Sequence, residues 1–168
     1  MKTTFRLIAV GSVVVASAAI AQPAVASDTD TIAVSATVTK NCIIDASALA
    51  FDDVNTLSGQ PVDAAGTIDV TCTNETPWTA SANAGQAKGA TFGERKLMSG
   101  ENELNYALYT NSARTTLWGD GETEGSGTLG DTGSGSSQQK TFYGRIAANQ
   151  TSAPAGVYND TVTVTVSY

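Results

Sequence analysis

Period-two alternation governs the C-terminal stretch "YNDTVTVTVSY", and such a pattern leaves few folds open. Even positions read Tyr158, Asp160, Val162, Val164, Val166 and Tyr168, while odd positions from Thr161 read Thr, Thr, Thr, Ser. Successive side chains of an extended backbone point to opposite sides, so β-branched residues on both faces describe a half-buried strand. The chain as written stops on this strand. Its far edge is therefore expected to lack a neighbour, leaving a row of backbone N–H and C=O groups and an apolar groove to be covered by something else.

A second alternating stretch lies near the other end. "TIAVSATVT" (31–39) places Ile32, Val34, Ala36 and Val38 on one face. Only Lys40-Asn41 separates it from "CIID", with no Gly, Pro or Asp-Gly to turn the chain, so it is not expected to fold back on its own neighbour. One surplus strand and one vacancy in the same chain predict head-to-tail strand addition. Because donor and acceptor surfaces differ, such a contact extends into a filament.

Between these stretches the chain reads as short strands broken by Gly, Asn, Asp and Pro. "CIID" and "ALAF" come first, then "GTIDVTCT" with Ile68, Val70 and Cys72 inward, and "PWTASANAG". "RKLM", "LNYALYT" with Leu104, Tyr106 and Leu108 on one face, "TTLWGDG", and "KTFYGRIA" with Phe142 and Ile146 inward follow. The run "ETEGSGTLGDTGSGSS" has the composition of a solvated loop. No segment carries a helical period, and the spacing predicts an all-β sandwich.

Met1 to Ala26 carries Lys2 and Arg6, an apolar run from Leu7 to Ile20, and Ala24-Val25-Ala26 at a cleavage position, the order of a secretory signal peptide. The apolar run is short for crossing ~30 Å of hydrocarbon and breaks at Gln22-Pro23. Residues 27–40 then form a donor strand and 41–168 the body. Cleavage leaves 168 − 26 = 142 residues, one domain, with 7 Lys+Arg against 16 Asp+Glu, or −9. An acidic chain does not suit nucleic acid or anionic membrane. Cys42 and Cys72 are the only cysteines, and in an exported chain they are expected to form one disulfide. Closing that loop contributes roughly 3–4 kcal/mol in the chain-entropy account.

Catalytic patterns are weak. The chain has no histidine, the commonest general base and zinc ligand. Asp131-Thr132-Gly133 matches an aspartic-protease triplet but sits in a Gly/Ser run without a second carboxylate. Asp120, Glu122, Glu124, Gly125 and Asp131 follow EF-hand spacing, yet position 12 is not Glu and no helices flank it. Asn74-Glu75-Thr76 and Asn149-Gln150-Thr151 are glycosylation sequons. Trp78 and Trp118 are candidates either for the core or for a sugar platform. No catalytic residue, cofactor or metal site is expected.

"TIDVTCT", "RKLM", "LNYALYT", "TTLWGDG", "FYGRI" and "PAGVYNDTVTVTVSY", in this order, resemble the spore coat protein U domain family, the pilins of the archaic, Csu-type chaperone–usher pathway. The resemblance implies an incomplete immunoglobulin-like β-sandwich completed by donor-strand exchange. It further implies a periplasmic chaperone, an outer-membrane usher, and copies of the chain or related pilins as partners. Donor positions would be Ile32, Val34, Ala36 and Val38; the acceptor edge would be Tyr158, Val162, Val164, Val166 and Tyr168. The expected role is a structural pilus subunit for surface attachment and biofilm formation. The alternative is a tip adhesin or a secreted carbohydrate-binding module using Trp118 and the 119–137 loop. A tip subunit is expected to need an extra receptor-binding domain, for which 142 residues leave no room.

Overall fold

The computed structural model describes residues 23–168. Most of the expected signal peptide, residues 1–22, lies outside the described residues. The described part of the first unit, up to Ala36, has no regular structure, and its side chains are exposed. The body, from Thr37 onward, is built from strands and irregular connections, with no helix among the described residues.

In chain order the strands are β1 (Cys42–Ala46), β2 (Val62–Cys72), β3 (Pro77–Ala82), β4 (Arg95–Ser99) and β5 (Asn102–Tyr109). They continue with β6 (Leu117–Trp118), β7 (Ser126–Gly127), β8 (Leu129–Thr132), β9 (Gln138–Ile146) and β10 (Val164–Ser167). The larger sheet runs β1-β2-β9-β5-β6-β7 with β4 also on β5; the smaller runs β10-β3-β8. Every pairing is antiparallel except β6 with β7. This is the two-sheet, immunoglobulin-like architecture that short alternating strands favour.

Parity decides which side chains form the core. Ile68, Val70 and Cys72 of β2, Leu104, Tyr106 and Leu108 of β5, and Phe142 and Ile146 of β9 are all buried, as the alternation required. Trp78, Ala80 and Ala82 face them from β3. The Trp118 indole N–H donates to the Ala80 carbonyl at 2.9 Å, tying one sheet to the other. Its ring lies 4.9 Å from that of Phe142. Gly66, opposite Phe142 in the β2–β9 register, leaves room for that ring: a Cβ there would come within 2.5 Å of it.

Three expectations need correction. "ALAF" is not a strand: after Ala46 the chain leaves the ladder, and Leu49 and Phe51 lie over Gly144 instead. The terminal strand does not pair from Tyr158; its ladder is Val164–Ser167, preceded by an isolated bridge between Asn159 and Met98. The Gly/Ser-rich run is not only a solvated loop, since it supplies β7 and β8, and Leu129 reaches the core. The segment 31–39, not expected to fold back on its own neighbour, forms no ladder within the chain. Composition misjudged the third because β8 needs only one inward side chain once β3 offers a ladder.

Candidate functional site

The cysteines lie directly opposite each other in the β1–β2 register and form a disulfide, with Cα atoms 4.1 Å apart. The bond fastens β1, the outermost strand of the larger sheet, to the middle of the fold. β10 is likewise outermost in the smaller sheet. Each therefore has one backbone edge without a ladder partner among the described residues.

Between these edges the sandwich is open. A cleft of about 320 Å3 has Ala46, Ser47, Leu49 and Phe51 on one wall and Thr161, Val162 and Val164 on the other. Its floor is core: Tyr106, Leu108, Trp118 and Phe142. A second cleft of about 830 Å3 shares Leu49 with it and continues between residues 49–57 and 153–159. Exposed Leu57 and Val157 stand at this end. At the opposite end the Tyr168 hydroxyl reaches Asn41 Oδ1 at 3.4 Å.

The expected acceptor residues fall on the inward parity. Tyr158, Val162, Val164 and Val166 are half-buried against the core, while Thr161, Thr163, Thr165 and Ser167 are exposed. Tyr168 is more than half exposed. The expected donor residues are in solvent: Ile32, Val34 and Val38 are 89%, 90% and 84% exposed, and Ala36 is exposed too.

Sequence reasoning missed two polar groups, of which Asp160 lines the cleft. Asp160 shares the inward parity of the valines and accepts the Tyr106 hydroxyl at 2.7 Å. It also accepts backbone N–H groups from Gln86 and Thr161. Burial, then this carboxylate, pushes the Tyr106 phenol up, so it stays a donor. Arg95 is wholly buried; its guanidinium donates to the carbonyls of Ala82, Asn83, Phe92 and Trp118. Burial pulls it down to about 10, and it remains charged at neutral pH. In "RKLM" two cations stand side by side before an apolar pair, and nothing in that order marked Arg95 as the buried one.

The remaining candidates resolve into structure. Asp120 accepts from Glu122 N, Thr123 N, Thr123 Oγ1 and Ser126 Oγ. The Thr123 bonds, followed by that from Glu122, hold its carboxyl well below the usual range. Its lone pairs are spent on the turn. Asp131 accepts from Lys140 at 2.6 Å. Among the described residues no three His, Cys, Asp or Glu side chains cluster as metal ligands. Trp78 and Trp118 are 2% and 1% exposed, so neither ring is available for a sugar to stack on.

A solved structure similar to this chain is the crystal structure of the CsuC–CsuE chaperone–tip adhesion subunit pre-assembly complex from archaic chaperone–usher Csu pili of Acinetobacter baumannii. Identity is 26% and the TM-score 0.53, over 79% of this chain and 40% of that one. The chain thus spans two fifths of its relative's length. No curated protein matches. The model of the Spore Coat Protein U domain matches residues 28–165, and with that match the open, disulfide-fastened sandwich has its family: the chain belongs to the spore coat protein U domain family.

Proposed function

We propose that the protein is a structural, non-enzymatic subunit of an archaic chaperone–usher pilus that polymerises by donor-strand complementation. Residues 27–40 of one copy fill the groove of the next. One observation carries the reading: a single chain holds an apolar, alternating segment in solvent and an apolar cleft between two unpartnered strand edges. Strand addition answers both. Backbone groups of the donor complete the ladders of β1 and β10, and Ile32, Val34, Ala36 and Val38 cover the core floor. Tyr158, Val162, Val164, Val166 and Tyr168 form the receiving wall.

The partners are further copies or related pilins, a periplasmic chaperone that covers the groove before assembly, and an outer-membrane usher. Support for the chaperone comes from the A. baumannii structure, in which a chaperone holds a pilus subunit. A signal peptide over 1–26 would carry the chain to the periplasm, and assembly would place it on the cell surface, serving attachment and biofilm formation. The burial of Trp118 takes away the platform on which the carbohydrate-binding alternative depended.

Two variants test the reading. Deleting residues 27–39 should leave a subunit that a chaperone still holds but that cannot extend a fibre. Fusing "TIAVSATVT" after Tyr168 through a flexible linker should give a heat-resistant monomer, since the donor then meets its own groove. Size exclusion and thermal melting read both. Long fibres from the deletion variant would sink the proposal.

A further inference from the structure

At the junction between donor segment and body, Thr73 holds Asn41 by both of its backbone groups. The Thr73 N–H donates to the Asn41 carbonyl at 2.9 Å, and the Asn41 N–H donates to Thr73 Oγ1 at 3.1 Å. The Thr73 hydroxyl faces the carbonyls of Asn41 and Thr39 at 3.2 and 3.4 Å. One residue further on, Cys42 is bonded to Cys72. Residues 39–41 therefore prolong the line of β1 beside the continuation of β2.

That line matters because β1 is a wall of the groove. To fill the groove of its own chain, the segment 31–38 would have to turn back on β1 just before Cys42. Three residues, 39–41, are enough for a hairpin loop. Here they are tied to Thr73, and none is Gly, Pro or Asp. A turn placed further upstream would consume Val38 and Ala36, two of the four apolar donor positions.

We propose that Thr73 is a clamp that keeps a subunit from filling its own groove and so reserves the donor for a second copy; the inference rests on the donor-strand reading above. The clamp also bears on strand direction. Tyr168 meets Asn41 while Val164 shares the cleft with Ala46, so β1 and β10 run in opposite directions. A strand folded back on β1 would be forced parallel to β10. A second copy's donor is under no such constraint and can enter antiparallel to β10, lying parallel to β1.

The test uses the mature chain and its Thr73→Val and Thr73→Ser variants, refolded without chaperone, separated by size exclusion and melted. Thr73→Val keeps the shape and removes the hydroxyl. It should raise the ratio of heat-resistant monomer to polymer about tenfold, the factor expected for losing one or two hydrogen bonds. Thr73→Ser should stay with the wild type. A merely structural role would lower the melting temperature of the Val variant without producing that monomer.

In parallel, a chain carrying Val34→Asp, whose own donor is spoiled, is melted with and without a synthetic peptide of residues 27–40. A peptide that leaves melting unchanged would overturn the donor-strand reading, and the clamp with it. A peptide that raises melting, with equal monomer-to-polymer ratios for wild type and Thr73→Val, would overturn the clamp alone.

Discussion

"TIAVSATVT" at 31–39 and "TVTVTVS" at 161–167 are close to interchangeable as sequence: both alternate, and both are rich in Val and Thr. Their states are opposite. Val164 and Val166 are half-buried, in a ladder with Ala82 and Ala80, whereas Val34 and Val38 stand in solvent without a ladder. β-Propensity reports how well a side chain fits a pleated, half-buried surface, and it does not supply that surface. The C-terminal stretch owes its ladder to β3. The other stretch has the same pattern and no β3 of its own.

The harshest way to break this contrast is to remove what anchors the partner. Arg95 donates to the Asn83 carbonyl; Asn83 in turn pairs with Thr163 through its backbone N–H and its Oδ1 at the head of β10. Arg95→Met would leave buried carbonyls unsatisfied and should cost roughly 3–5 kcal/mol. Urea unfolding would measure it. Hydrogen exchange over 163–167 should approach that of 31–39; an unchanged exchange pattern would show that β3 alone holds the strand.

Removing the disulfide acts on the other wall. Replacing Cys42 and Cys72 together by Ser should destabilise the body by roughly 3–4 kcal/mol, since the bond closes a loop of 30 residues. Denaturant melts with and without reductant would check it. Loss of much less would mean that the β1–β2 ladder holds the wall unaided.

A matched pair of charges sharpens the comparison. Val164→Asp places a carboxylate in the apolar cleft and should cost the body about 2 kcal/mol. Val34→Asp should leave the melting of the unassembled subunit unchanged and abolish polymerisation, while Ser35→Asp on the opposite parity should be tolerated. Equal losses of body stability for Val164→Asp and Val34→Asp would refute the contrast.

The smallest effect lies in neither stretch. Asp63 accepts both guanidinium bonds of Arg145 at 2.6 and 2.8 Å, with Arg114 beside it, and the Arg145 bond lowers its pKa. A carboxyl lowered on folding contributes stability that is complete above the ordinary carboxylate range and is lost as pH falls through the folded value. The pair is largely exposed, so Asp63→Asn should cost under about 1 kcal/mol near neutrality. The difference from wild type should vanish in strong acid; a difference that persists there would assign the loss to packing.

Much of this molecule was legible in one dimension. Alternation in "GTIDVTCT", "LNYALYT" and "KTFYGRIA" named the buried faces, because side-chain parity in an extended chain is a local property. Two cysteines in a chain that reads as exported named the covalent link. Alternation at both ends named the two stretches that the proposed assembly brings together. What stayed hidden depended on neighbours distant in sequence. A Gly-rich run became β8 because β3 lay beside it, and "ALAF" left its ladder to pack on Gly144. Arg95 could be buried because four carbonyls from three separate segments converge on it. The sequence by itself determined which faces would be apolar. Only the tertiary structure decided which apolar faces found a partner and which were left open, because a ladder needs a second strand and no pattern within one strand can provide it.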